Sequence, residues 1–569
     1  MKNKFYWFMV GSIILISYGF FSINKPQKEE IQINKEYGEI SPINWYGMIS
    51  TGVNEKKLEV VVDENNMNNY YGYAVMDNNL SINIPYKSAK ELFDCSVLLY
   101  DKKKLVIRKG EKEVVAKVGK DYFKVDGEKI ELENKLHYDE EKTLYVPLEL
   151  FEKAYSYESK WDGRNNRIIL TCKNEEEFKL PEKYRLDEDE RVVNGARDQS
   201  LSGTCWVYAG LGALESSLTP EGKYDFSEEH ASTNNVYERE SDEGGQYSIL
   251  WSYLASWKGP VLEKDGSNSK AKIAKHVQEM QIIESKNYDD IKKAIYEYGG
   301  VQSSIYISLN YLNESTEYFN SEKSSYIYDG TTKSNHDIYI IGWDDNYPKE
   351  NFDGKAKKDG AFICRNSWGS RFGDNGNFYV SYEDTNIGTY NEIYTKVEST
   401  KNFDNIYEYD ESGWCGTLGF THSETAYASN VYTAKKDEVL KAMSFYATVP
   451  GTEYEAYVCK NFKGTVSLAN DMELVSKGTF KRSGYYTVKF DGIDVNEGDK
   501  YAVIIKVTTP ESTKPIAVEC KNELVDKVVK LRAGEGYYSI DGIKWESAED
   551  SECNICLKAF TDDKENEDE

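Results

Sequence analysis

Histidine is scarce in this chain: five among 569 residues, at positions 137, 230, 276, 336 and 422. None of the five sits in a cluster, so a histidine-rich copper or zinc centre is excluded, and few groups remain to move protons near neutral pH. Positive charge is also short. Lys and Arg number 70 against 97 Asp and Glu, a formal net charge of −27. Sequence-independent nucleic-acid binding needs cationic side chains to neutralise phosphates, so that class is set aside. Long apolar runs are missing everywhere except at the start, where Lys2 and Lys4 precede an uncharged stretch from Phe5 to Ile23. As a helix it would span about 28 Å, close to the thickness of a bilayer core. No small-residue cleavage site stands out after it. Residues 1–28 are therefore expected to be a signal peptide or a retained N-terminal membrane anchor. The rest lies outside the membrane, exported and extracellular or cell-surface associated.

What is present divides into blocks. Residues 39–174 are rich in alternating apolar and polar positions, as in "LSINIPY", "SVLLYDKKKLVIRKG" and "EVVAKVG", which is the pattern of half-buried strands. Asp126-Gly127 separates two such runs and predicts a hairpin. A mixed region covers 180–398. Strand-like runs return over 404–562, such as "LKAMSFYATV" and "KYAVIIKVTT", and their turn-rich spacing predicts a β-sandwich. Residues 563–569 form an acidic tail. Nine cysteines are spread over the chain; Cys553 and Cys556 have CxxC spacing but no second pair, so ordinary strand cysteines are expected there.

One cysteine sits differently. In "DQSLSGTCWVYAG", Cys205 follows small polar residues and starts a helix whose apolar face is Val207, Leu211, Leu214 and Leu218. Ser202 or Thr204 is placed to cap that helix. In the first turn, unpaired N–H groups and the helix dipole favour a thiolate, the reactive form of cysteine. His336 opens an alternating strand 131 residues downstream, in "SNHDIYIIGWDDN", and Asn366 follows 30 residues later in "FICRNSWGSRFGDNGNFYVSY". A Cys, His, Asn order at those separations fits a nucleophile, a base and an orienting residue.

These motifs closely resemble the papain-like cysteine peptidases. "QSLSGTCW" matches the nucleophile motif, "NHDIYIIGW" the histidine strand, "RNSWGSRFGDNGNFYVSY" the asparagine loop, and "EGGQYSILWSYLASWKGPV" the Gly-Gly substrate segment. The N-terminal block, with "YVPLELFEKA" and Trp161, resembles the copper amine oxidase N-terminal-like domain, here without copper ligands because His137 stands alone. The C-terminal block, with "YEYDESGWCGTLGF" and "AYASNVYTA", resembles the lectin-like domain found beside such peptidases in clostridial surface proteins.

The implied fold is multidomain α+β. It is a two-lobed papain-like peptidase, with a helical left lobe and a β-barrel-like right lobe, between an N-terminal β-rich domain and a C-terminal β-sandwich. The implied roles are Cys205 as nucleophile, His336 as acid and base, Asn366 orienting the imidazole, Trp368 shielding that bond, and Gln199 with the Cys205 N–H forming an oxyanion hole. Gly244 and Gly245 would pair with substrate backbone, and Asn335 would offer its carbonyl nearby. Ser202 stands where the family usually carries a disulfide cysteine, so packing must hold the cleft.

No cofactor is required by this chemistry. The loop "DDNYPKENFDGKAKKDG" is a calcium candidate, but it lacks the register of a calcium loop and is expected to be solvated. His276 in "IAKHVQEMQII" reads as a helix-surface residue. Expected partners are protein or peptide substrates, with a cell-wall glycan or surface protein as ligand of the accessory domains. Two other readings are a Cys-His peptidoglycan amidase or transpeptidase and an inactive surface adhesin. The Gln199 and Asn366 motifs count against both.

Overall fold

The computed structural model describes residues 58–564, apart from 63–64, 67–71, 77–80, 110–111, 141, 163–166, 174–178, 193, 238–243, 267, 309–314 and 522–528. The apolar run at 5–23 and residues 565–569 of the tail lie outside the described residues. Among the described residues, no helix is long and apolar enough to cross a membrane.

The N-terminal block folds as the alternation predicts. Strands Ser96–Tyr100, Lys104–Lys109, Lys112–Lys117, Tyr122–Val125 and Glu128–Glu131 form a five-stranded meander. Its last hairpin turns through Asp126 and Gly127, both at positive φ (49° and 92°), the conformation a two-residue hairpin needs. Two four-stranded sheets and the helices Tyr86–Leu92 and Leu148–Tyr155 complete the block. It docks on the central region through Arg108–Asp189 at 2.8 Å, Lys293–Asp94 at 2.9 Å and Lys90 Nζ donating to the Glu297 carbonyl at 2.9 Å.

The central region has two lobes. Helices Cys205–Leu218, Glu228–Thr233 and Tyr247–Ala255 pack together as one. The other is a sheet that carries strands Val301–Ile305, His336–Asp344, Ala361–Arg365, Asn377–Ser381 and Asn391–Glu398 around a core of Ile338, Ile340, Trp343, Phe362 and Phe378. The Cys205–Leu218 helix is buried nearly all round, rather than along the single face its periodicity predicts. Glycine is why it fits. A Cβ on Gly212 would lie 2.6 Å from the Tyr339 ring, and one on Gly210 would lie 2.2 Å from Leu250.

The C-terminal block is a sandwich whose sheets are not both its own. Strand His276–Ile282 of the central region pairs antiparallel with strand Ser483–Val495, in register Glu279↔Tyr486 and Gln281↔Gly484. The peptidase-like sheet thereby runs on through Glu438–Ala447 and Leu557–Asp563. A separate six-stranded sheet, including Thr425–Thr433, Thr452–Cys459 and Lys500–Thr508, covers the other side. The helical lobe also shares its core with this block: Trp206, Leu250 and Tyr253 belong to the same apolar cluster as Tyr446, Tyr485 and Ala517.

His276 is a correction to the sequence reading. It begins a strand, is 5% exposed, stacks on Trp257 at 3.6 Å and places Nδ1 2.6 Å from Asn402 Oδ1. The helical spacing of its neighbours misleads because this strand is buried on both faces, with His276 to Gln281 all buried, and needs no alternation.

Candidate active site

Cys205 is the first residue of its helix, and Gln302 Nε2 donates both to the carbonyl of the next residue, Trp206, at 3.3 Å and to the carboxylate of Asp337, the residue after His336, at 3.1 Å. Helix and histidine strand therefore meet at this point. Thr204 occupies the cap position without a side-chain cap bond. Its hydroxyl instead lies 2.5 Å from that of Ser202, which donates to the Gln199 carbonyl at 2.7 Å. The expected cap is thus spent on bracing the loop.

His336 is 6% exposed and Asn366 3%. The ring Nε2 lies 2.7 Å from Asn366 Oδ1, which also accepts the Ser367 N–H at 2.8 Å. Asn366 Oδ1 can only accept, so Nε2 carries the proton and Nδ1 is left as the basic nitrogen. The Trp368 indole covers this pair, its ring 4.9 Å from the imidazole and tilted by 37°.

Gln199 joins the cysteine loop to the asparagine loop. Its N–H donates to the Ser367 carbonyl at 2.8 Å, its Oε1 accepts from Ser367 Oγ at 2.5 Å, and its Nε2 donates to the Ser202 carbonyl at 2.6 Å. Gly244 has φ +72° and lies beside the Gly203 carbonyl; Gly245 abuts the Trp206 indole so closely that a Cβ would fall 2.3 Å from Nε1. Asn335 spends its amide on the main chain of Ile307, accepting at 2.8 Å and donating at 3.0 Å, which leaves its own carbonyl as the group available to a ligand.

The electrostatics differ from the expectation of a lowered thiol pKa. Burial, reinforced by the Asp337 carboxylate, pushes the Cys205 thiol up to about 12. Burial also brings His336 down to about 4, against the opposing pull of the Asn366 hydrogen bond. Desolvation of each group outweighs what the helix N-terminus offers, so burial favours the neutral form of each.

Sequence reasoning passed over several residues that hold this geometry. Asp337 accepts from Ser304 Oγ at 2.6 Å and Gln302 Nε2 at 3.1 Å. Arg197, two residues before Gln199, binds Glu215 at 2.8 Å and also pairs with Glu228 and Asp225. Asp337 could have been found by its place next to His336; the Arg197 cluster joins segments too far apart to leave a sequence signal. In the calcium-candidate loop, Asp344 pairs with Lys183, Asp345 with Lys292, and Asp359 accepts the Lys349 N–H. Among the described residues, no group of three or more His, Cys, Asp or Glu is arranged to hold a metal ion.

The papain family cysteine protease profile matches residues 180–397, the span that contains every one of these side chains. The chain carries a papain-family domain. Beside it, a copper amine oxidase N-terminal domain matches residues 61–170 and a lectin-like domain residues 406–561.

Among solved structures, the chain is similar to the clostridial cysteine protease Cwp84 after propeptide cleavage, with a TM-score of 0.60 and 26% identity, covering 67% of this chain and 99% of that one. A second structure, the cysteine protease and lectin-like domains of Cwp84, a surface layer associated protein of Clostridium difficile, gives 0.59 and 26%, over 68% and 90%. The papain-family domain is also similar to cathepsin L 2 of Paramecium tetraurelia, 26% identical over 200 residues, which is 33% of this chain and 56% of that protein. Cysteine proteinase 3 of Entamoeba histolytica is 27% identical over 214 residues, 34% and 62%. The chain thus spans little more than half the length of these curated relatives.

Proposed function

We propose that this protein is an exported, cell-surface cysteine endopeptidase that cleaves peptide bonds through an acyl-enzyme at Cys205. The observation that carries the reading is the buried 2.7 Å bond from His336 to Asn366, on the strand whose next residue, Asp337, shares Gln302 Nε2 with the Trp206 carbonyl beside Cys205. Proton transfer from the Cys205 thiol to His336 Nδ1 makes both charges at once, each stabilising the other. The helix N-terminus favours the thiolate, and Asn366 Oδ1 favours the imidazolium. The thiolate attacks the scissile carbonyl, whose oxyanion meets the Cys205 N–H and the second N–H of the Gln199 amide. His336 then protonates the leaving amine and later activates water to release the acyl group. Gly244 and Gly245 offer main-chain groups to an extended substrate, with the Asn335 carbonyl opposite. Likeness to a surface-layer associated protease, together with the lectin-like match, supports placement at the cell surface, with a glycan or surface protein as accessory ligand.

A peptidyl epoxide of the E-64 kind tests the assignment: mass mapping should place one adduct, at Cys205. Incubation with a generic protein and with purified peptidoglycan should yield products from the protein alone. Release of peptidoglycan fragments instead would overturn the reading in favour of an amidase.

Asn366→Ala frees the imidazole to rotate and removes the acceptor that stabilises its charged form. The expected loss in kcat is on the order of 100-fold with KM little changed, measured on a fluorogenic peptide.

The buried imidazole also makes stability depend on pH. Its folded pKa is about 4, below the ordinary 6.5, so between those values the unfolded chain binds a proton that the folded chain does not. Stability contributed by His336 is complete above pH 6.5 and falls as pH drops toward 4, by about 3 kcal/mol. Denaturant melts of the parent and His336→Gln across pH 4–7 should differ by that slope.

A further inference from the structure

Outside the active site, two half-buried thiols face one another at the seam between the peptidase-like region and the C-terminal block. Cys415 Sγ lies 3.3 Å from Cys520 Sγ, and the Cys520 N–H donates to the Cys415 sulfur at 2.9 Å. The strands carrying them are already paired, Gly416 opposite Val518, with the Cys415 N–H on the Val518 carbonyl at 3.1 Å. Closing a bond of about 2 Å therefore needs only side-chain rotation. We propose that Cys415 and Cys520 form a redox-sensitive disulfide that fastens the loop by which the C-terminal block grips the helical lobe.

That loop has a definite task. The Ser412 carbonyl accepts from Tyr237 Oη at 2.7 Å, Glu411 pairs with Lys258 at 2.8 Å, and Gly413 lies against Ser252. On the C-terminal side, Glu519 accepts from both the N–H and the hydroxyl of Ser412, at 2.8 and 2.6 Å. Cys415 and Cys520 flank this clamp, and no covalent bond yet closes it. Tyr237 stands seven residues before Gly244 in the sequence. Under the proposed function, the same clamp steadies the edge that receives substrate; the disulfide assignment itself does not depend on that function.

The chemistry is thiol–disulfide exchange with a small oxidised disulfide such as oxidised glutathione. Cys520 loses its proton to solvent, which later returns one to the second glutathione thiolate. The Cys520 thiolate attacks the external disulfide and expels one glutathione thiolate, which takes up the Cys415 proton. Cys415 then attacks the Cys520 sulfur and expels the second thiolate. Two protein thiols are oxidised while one external disulfide is reduced to two thiols. The closed loop spans 105 residues, a length at which a cross-link restricts the unfolded chain strongly.

The whole chain with Cys205→Ala, which cannot digest itself, is equilibrated in reduced and in oxidised glutathione. Alkylation and peptide mapping should then find Cys415 joined to Cys520 only in the oxidised sample, with a melting temperature higher by on the order of 5–10 °C. Adding Cys415→Ser should abolish both the link and the rise. Full alkylation of both thiols after oxidation, or Cys520 joined to its cross-strand neighbour Cys553, would overturn the proposal. So would a link that forms without any rise in melting temperature.

Discussion

Cys205→Ala is expected to fold as the parent does and to lose peptide hydrolysis by at least about 10⁴-fold in kcat. The change deletes one sulfur from the head of a helix held by Trp206, Val207, Leu211 and Leu214, all under 5% exposed. None of those contacts is touched. Removing a buried thiol whose pKa is pushed up to about 12 also leaves no charge uncompensated in the resting state. Stability should therefore stay within about 1 kcal/mol, and the epoxide adduct should vanish. Steady-state kinetics beside a thermal melt check both halves. Retained hydrolysis would remove Cys205 from the chemistry, whereas loss of the melt would mean that the variant reports on folding instead.

The second large effect lies far from the cleft. Gly484→Val should destabilise the protein by roughly 3 kcal/mol or more and loosen the C-terminal block from the peptidase domain. Gly484 has φ +149°, a region L-residues avoid, and its position faces the Met280 carbonyl so closely that a Cβ would fall 2.2 Å away. That oxygen is main chain and cannot swing aside. The residue also lies between two partners in the sheet, Gln281 on one edge and Ala447 on the other. A side chain there must break one of the pairings. Limited proteolysis of the Cys205→Ala, Gly484→Val protein should cut between residues 398 and 405 well before the Cys205→Ala control is cut.

The two results bear on what a sequence discloses. The parts of the candidate site were legible because each is local: a polar entry followed by a helical period at Cys205, an alternating strand after His336, a turn-rich loop after Asn366. Strands in the N-terminal block and the Asp126-Gly127 hairpin were legible for the same reason. The strand at His276–Ile282 was not, since burial of both faces erased the alternation that marks a strand. Nor was the upward push of burial on the Cys205 thiol. Position in the first turn argues for a thiolate, but depth of burial and the approach of Asp337 depend on tertiary packing and reverse the outcome. The hydroxyl of Thr204 shows the same limit on a smaller scale, since a residue type suited to capping was recruited by Ser202 instead.

A sheet shared between two domains also sets an order of events during synthesis. The pairing of Gln278 with Thr487 joins positions 209 residues apart, so the protease half emerges with strand 276–282 open along one edge. It must wait there, exposed to self-association, until the final third of the chain arrives to cover it. Expression of residues 180–398 alone should accordingly favour aggregates, and maturation of the enzyme is coupled to completion of the polypeptide.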